Sequence, residues 1–300
     1  MIQWLICRVA VIYFVLFVFS LTCVDLKTLD MRSKARRLNE AVPNFTDMIN
    51  SSVGKNAMKD INWSPYRNYF ELILRYVPND AITEQLLGYV DYYSNQKERC
   101  VQLLKSASMM KGQNLFWPNY NAGVVYYKMG LWPQAAEYLF KAISSNPKLM
   151  RILMQDSIVY KQIFATPAFS YNLDEGMINA KSKAYILLLS SLYSMRQYDK
   201  VMILADLALA DKELLDRDAF YFYDALAYFQ LGQMDRAFML LQKSLTIEKD
   251  NPDVYYYMAN IFQKAGQVEQ AREFLQVSYA LHQKNDPRFP YETQVNLHFF

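Results

Sequence analysis

Three hundred residues, 53% of them hydrophobic and 20% charged, are enough for one or two folded domains and too apolar for a disordered chain. The 32 basic and 29 acidic residues leave a net charge of +3, which excludes the concentrated basic surface that a nucleic-acid binder needs. Only 8 glycines stand beside 24 tyrosines, a balance suited to tightly stacked helices.

The first 37 residues read as a membrane anchor with a basic flank. Residues 9–24 carry no charge, and a membrane span needs about 20 apolar residues. Ile2, Trp4, Leu5 and Ile6 extend the apolar character past Arg8, whose side chain can reach the headgroups while Trp4 sits at the interface. A single transmembrane helix is the expectation. A cleaved signal peptide is the alternative, for which Ser20-Leu21-Thr22 before Cys23 is a poor cleavage site. The arguments on orientation oppose each other. Lys27, Arg32, Lys34, Arg36 and Arg37 favour a cytoplasmic carboxyl side. Asp25 and Asp30 nearest the membrane, and a short amino terminus ending in Arg8, favour export. The expectation adopted is a single-pass membrane protein with its soluble part on the extracytoplasmic side. Cys7 and Cys23 belong to the anchor region, so Cys100 has no disulfide partner in the soluble part. Residues 38–63 read as a linker, with glycosylation-type sequons at Asn44, Asn50 and Asn62.

A helical region is expected over residues 64–284. Ser64-Pro65 offers a cap and a proline at the first helical position, opening a short amphipathic helix over 66–76 that stops before Pro78. Helix hairpins follow at about 80–110, 116–147, 183–210, 217–249 and 252–284, each with two apolar runs of 3.6-residue period around a short turn. Residues 148–180 interrupt them with an apolar run, Thr166-Pro167 and a polar stretch at 172–176, and read as an irregular block. The repeat is plainest at the carboxyl end. Ala225, Tyr228, Gly232 and Ala237 return 34 residues on as Ala259, Phe262, Gly266 and Ala271. Gly123, Tyr126, Gly130 and Ala135 hold the same places upstream. Leu87-Gly88, Cys100 and Ala107 hold them in a weaker first copy, where Asn95 takes the turn and Asp91 replaces an aromatic. Over 183–210 the register is kept by Leu192, Arg196, Val201, Ala205 and Ala208 without a turn glycine. Small residues at these places let two helices cross at about 8–10 Å. The period and this pattern resemble the tetratricopeptide repeat.

The resemblance implies an all-α fold, a right-handed α-solenoid of antiparallel helix hairpins, here preceded by one amino-terminal transmembrane helix. It also implies that the first helix of each hairpin lines a concave groove. Position by position, that groove takes Gln85, Tyr89, Tyr92 and Tyr93, then Tyr120, Val124, Tyr127 and Lys128, then Ile186, Ser190 and Tyr193. Phe222, Leu226, Phe229 and Gln230 follow, and Tyr256, Asn260, Gln263 and Lys264 end it. The expected partner-binding set is Tyr89, Tyr92, Tyr93, Tyr120, Tyr127, Tyr193, Phe222, Phe229, Tyr256, Asn260 and Lys264. Tyrosine offers large contact area and a hydroxyl, so such a trough suits an extended segment or an amphipathic helix of a protein partner. The alternative is that many of these rings pack between adjacent hairpins.

After Pro287 and Pro290, residues Tyr291, Thr293, Val295, Leu297 and Phe299 alternate with polar ones. Residues 285–300 therefore read as a strand-like tail that adds to a partner's sheet or lies back on the last hairpin. No glycine spacing fits a phosphate loop, no Gly-x-Ser-x-Gly occurs, and His282 and His298 have no ligating neighbours at metal spacing. The expectation is a protein that is not an enzyme and needs no cofactor, metal or small-molecule substrate. It is a membrane-anchored scaffold or adaptor that binds a partner segment and helps assemble or localise a membrane-associated complex. Two alternatives stand beside it: a permanent structural subunit of a large membrane assembly, and a chaperone-like factor in envelope, secretion or polysaccharide biogenesis.

Overall fold

The computed structural model describes residues 61–110, 116–145 and 173–284. The apolar span at 9–24, its basic flank, the linker up to residue 60, residues 148–172 and the tail at 285–300 lie outside the described residues. Among the described residues every regular element is a helix, and none is long and apolar enough to cross a membrane. The helices are α1 (Ser64–Tyr76), α2 (Ala81–Tyr93), α3 (Lys97–Ser108), α4 (Phe116–Lys128), α5 (Trp132–Ile143), α6 (Leu173–Ser194), α7 (Tyr198–Ala210), α8 (Arg217–Gln230), α9 (Met234–Ile247), α10 (Pro252–Lys264) and α11 (Val268–Lys284). They fall into two compact units, α1–α3 and α4–α11.

In the first unit the cap of α1 differs from the one expected. The Asn62 side chain, not Ser64, accepts the first free amide, from Ser64 N at 3.1 Å. Asp80 caps α2 by accepting from Thr83 N at 3.3 Å. Asp91 holds the place of an aromatic for a physical reason that the sequence pattern hides. It is fully buried on α2 and accepts from Arg67 of α1 at 3.0 Å (Nε) and 2.8 Å (Nη2), both on Oδ1. Arg99 Nε of α3 stands 3.2 Å from Oδ2, and the same guanidinium reaches Glu71 of α1. One carboxylate thus ties three helices, and a buried charge is tolerated only when paired in this way. Burial still holds the Asp91 carboxyl above its ordinary value, against the pull of Arg99 and Arg67.

In the second unit α4 packs on α5, α8 on α9 and α10 on α11, while α7 bridges α6 and α8. Helix α6 begins at Leu173, so residues 173–180, the end of the block that interrupts the repeat pattern, are helical. Gly123 is required by close approach. A Cβ there would lie 2.6 Å from Leu139 Cγ and 3.2 Å from Leu139 N, so the absent side chain is what lets α5 dock on α4. Ala225, Ala237, Leu241, Val254 and Met258 form the core that joins α8, α9 and α10. Each large side chain in it contributes about 1.5–3 kcal/mol of burial.

All five described hairpins turn in the same way. A residue with positive φ ends the first helix: Asn95 (61°), Gly130 (73°), Arg196 (58°), Gly232 (78°) and Gly266 (76°). The next residue donates to the carbonyl five back: Gln96 to Asp91 (2.7 Å), Leu131 to Tyr126 (3.0 Å), and Gln197, Gln233 and Gln267 to Leu192, Tyr228 and Phe262 (2.9 Å each). This is the Schellman closure, which satisfies carbonyls that the helix end would otherwise strand. Arg196 therefore occupies a place that glycine fills in three of the other turns.

Candidate partner-binding face

The first helices of the hairpins present their tyrosines in two ways, and the division follows burial. Tyr89, Tyr120 and Tyr127, expected in an open groove, are buried. Tyr89 is sealed by Trp63, whose ring centroid lies 6.0 Å away, and by Tyr93 at 4.7 Å. Tyr120 stacks on Phe116 at 5.7 Å within α4, a helix buried on every side from Phe116 to Val125. The Tyr127 hydroxyl lies 2.9 Å from Ser190 Oγ and joins α4 to α6. These three rings are packing residues, as are Gln85, Val124 and Leu226. The physical reason is that the face assigned to the groove is, at these positions, the face on which a neighbouring helix lands.

Tyr92 and Tyr93 remain half-buried in the first unit. Trp63 stacks on Tyr93 at 5.8 Å, and burial pushes the Tyr92 hydroxyl up to about 12. Trp63 was assigned to the linker by its sequence context, yet it is buried and covers this pair's helix. Nearby Cys100 is fully buried and its thiol is raised by burial to about 12, which leaves it unreactive.

The remaining six residues of the expected set lie together on α6, α8 and α10 in the second unit. Tyr193, Phe222, Phe229 and Asn260 are half-buried, while Tyr256 and Lys264 are exposed. Tyr257, which sequence reasoning did not select, is the centre of the cluster. Its ring lies 5.8 Å from Phe222, 5.6 Å from Phe229 and 5.4 Å from Tyr256, at interplanar angles of 70°, 80° and 84°. Edge-to-face rings at these separations attract one another beyond their area burial and hold the surface stiff. Burial and the neighbouring Tyr193 push the Tyr257 hydroxyl well above the ordinary tyrosine range. Gln230 Nε2 donates to Tyr193 Oη at 2.8 Å, tying α8 to α6. Lys264 Nζ sits 4.1 Å above the Phe229 ring, a cation–π contact that tethers this ammonium to the face. Asn260 Nδ2 donates to the Tyr256 carbonyl at 3.0 Å, which ties one of its two amide N–H groups to its own helix. The face is therefore aromatic and preorganised, with the Lys264 ammonium at one end and the Asp253 carboxyl near Tyr257. Among the described residues no group of three or more His, Cys, Asp or Glu gathers to hold a metal ion.

Hairpins of this length, closed by a left-handed residue and crossed over small side chains, define a helical repeat protein. Residues 228–289 match the tetratricopeptide repeat family, so the chain carries tetratricopeptide repeats over α9, α10 and α11. No curated protein matches the chain. Among solved structures, a MamA protein is 16% identical, with 72% of this chain and 98% of that one covered at a TM-score of 0.49. MamA from Desulfovibrio magneticus RS-1, from residue 41 to its end, is 13% identical over 69% of this chain and 98% of that one, at 0.48. YrrB, described as a TPR protein with an unusual peptide-binding site, is 16% identical over 71% and 92%, also at 0.48. The repeat assignment rests on the hairpins and the family match.

Proposed function

We propose that the protein is an interaction scaffold that holds a segment of a protein partner on the aromatic face of α6, α8 and α10. The observation that carries this is a cluster of half-exposed rings around Tyr257, stiffened by edge-to-face contacts and opened to solvent at Tyr256, which is 46% exposed. A rigid aromatic surface binds with little loss of side-chain freedom, which is where binding energy concentrates. No reaction is assigned to the protein. The uncharged residues 9–24 support attachment to a membrane by a single span. Asp25, Asp30 and the short amino terminus ending in Arg8 are what favour the repeats outside the cytoplasm, against the basic residues 27–37.

A photo-crosslinking phenylalanine analogue at Tyr256, in the full-length protein in its own membrane, tests the reading. It should join one identified protein, and Phe229→Glu should abolish the product. The same analogue at Met239, exposed on α9, is the control. Identical products from both positions, or products with lipid alone, would refute the proposal.

A further inference from the structure

Helix α11 exposes a stripe that elsewhere in the same molecule is an interface. Val268 is 59% exposed, Leu275 42% and Tyr279 66%. Stepping back 34 residues gives Met234, Leu241 and Leu245 of α9. There Leu241, 1% exposed, belongs to the core that includes Val254 and Met258 of the following helix α10, and Met234 and Leu245 pack half-buried against that core. The stripe on α11 is thus the hairpin-to-hairpin stacking surface repeated once more, and no described helix follows to cover it. Lone exposed apolar residues need no explanation. A stripe at i, i+7 and i+11 in register with a buried one is different, because it continues an interface already formed in the chain.

From this we infer that the α11 face is covered by a second copy of the chain, with the two α11 helices antiparallel about a two-fold axis beside Leu275. The stripe fits its own reverse. Its one substitution in kind, Arg272 in the place of Phe238, lies between Leu275 and Val268 on the same face, with a side chain 63% exposed that also pairs with the exposed Glu269 one turn back at 3.2 Å. In the antiparallel pairing Leu275 packs on its copy and Arg272 comes opposite Tyr279 of the second copy. That places a guanidinium on an aromatic ring twice, once on each side of the axis. The residues that turn this surface from a helix-stacking site into a self-complementary one are the ones that depart from α9. Helix α11 spans 17 residues, about 25 Å. The contact is therefore at the small end of specific interfaces, and the dimer dissociates in the micromolar range. The inference is independent of the aromatic face on α6, α8 and α10.

Sedimentation equilibrium of the full-length chain in density-matched detergent, across the micromolar range, tests it. The parent should show a monomer–dimer equilibrium, and Leu275→Glu should weaken it by at least about tenfold while the melting temperature stays unchanged, because the residue is at the surface. With Cys7→Ser and Cys23→Ser, Leu275→Cys should form an intermolecular disulfide, and Glu273→Cys, on the outer side of α11, should not. A parent that stays monomeric throughout overturns the inference, as does a dimer that Leu275→Glu leaves unaltered. A parent that dimerises only after removal of residues 285–300 also overturns it, and assigns the stripe to the chain's own carboxyl-terminal segment.

Discussion

Asp224 gives the most demanding test of the packing of the repeats. It lies on α8, 4% exposed, at the place where the next hairpin has Met258, and its Oδ1 has no hydrogen-bond partner among the described residues. Burial, with Asp206 of α7 nearby, pushes its carboxyl up to about 7 against the opposing pull of Lys243 of α9. In the unfolded chain the group ionises near ~3.9. The folded state therefore keeps a proton that the unfolded state releases, and stability falls by about 1.4 kcal/mol for each pH unit from ~4 to ~7. Above pH ~7 the cost levels off at about 4 kcal/mol, to the accuracy of the carboxyl's own position. Asp224→Asn removes the charge and keeps the shape. Its free energy of unfolding in urea, compared with the parent at half-unit steps from pH 3.5 to 8.5, should differ little at pH 3.5, lead by about 1.5 kcal/mol at pH 5 and pull further ahead up to pH ~7. Glu84, Asp91, Asp216 and Asp253 are raised by burial as well, so the parent's own slope sums several groups and only the difference between the two proteins isolates Asp224. Parallel pH profiles would show that Asp224 is solvated or paired when folded, and the buried-carboxylate argument would fall.

Two further predictions concern the backbone. Gly123→Ala should cost about 1–3 kcal/mol, because its Cβ would meet fully buried Leu139 at 2.6 Å. Gly88→Ala, whose Cβ would rest 3.5 Å from Leu104, should be neutral or gain about 0.5–1 kcal/mol of helix propensity. Equal urea midpoints for the two variants would contradict the close approach of α4 and α5. Arg196→Gly should raise the free energy of unfolding by about 1 kcal/mol, since it places glycine at φ 58° in a turn whose other members include Gly130, Gly232 and Gly266. A loss of stability there would mean that the arginine side chain makes a contact worth more than the strain it carries.

The turns and the small crossing residues are visible in the sequence because each is a local requirement. Gly232 and Gly266 mark positive φ, Ala237 and Ala271 mark helix contact, and the 34-residue step between them sets the register. Arg196 shows the limit of the rule, since the same Schellman closure forms without glycine and only the register locates it. What depends on a neighbour is not visible. Asp91 reads as decay of the repeat until Arg67 and Arg99 are seen to meet it. Trp63 reads as linker until its ring is found against Tyr89 and Tyr93. The tyrosines are the hardest case. A 3.6-residue period assigns Tyr89, Tyr120 and Tyr256 to corresponding faces, but whether that face meets water or another helix depends on residues far away in the chain. Tyr120 is sealed and Tyr256 is open for that reason. Tyr257 was hidden within a run of three tyrosines, where periodicity alone cannot say which ring becomes the hub.

The Asp91 junction also bears on how a repeat protein of this kind can change length. A hairpin that meets its neighbours through apolar and small side chains can be copied in tandem, since each copy brings a surface that the next accepts. The α2–α3 hairpin has lost that freedom. Its Asp91 is neutralised by Arg67, which belongs to the preceding helix and not to the hairpin. A duplicate of α2–α3 inserted elsewhere would carry the buried carboxylate and leave half of its counter-charge behind, at a cost of several kcal/mol. Gene duplication can therefore extend the molecule from the α10–α11 side far more readily than from α1. The ion pair thus ties the α2–α3 hairpin to its place after α1.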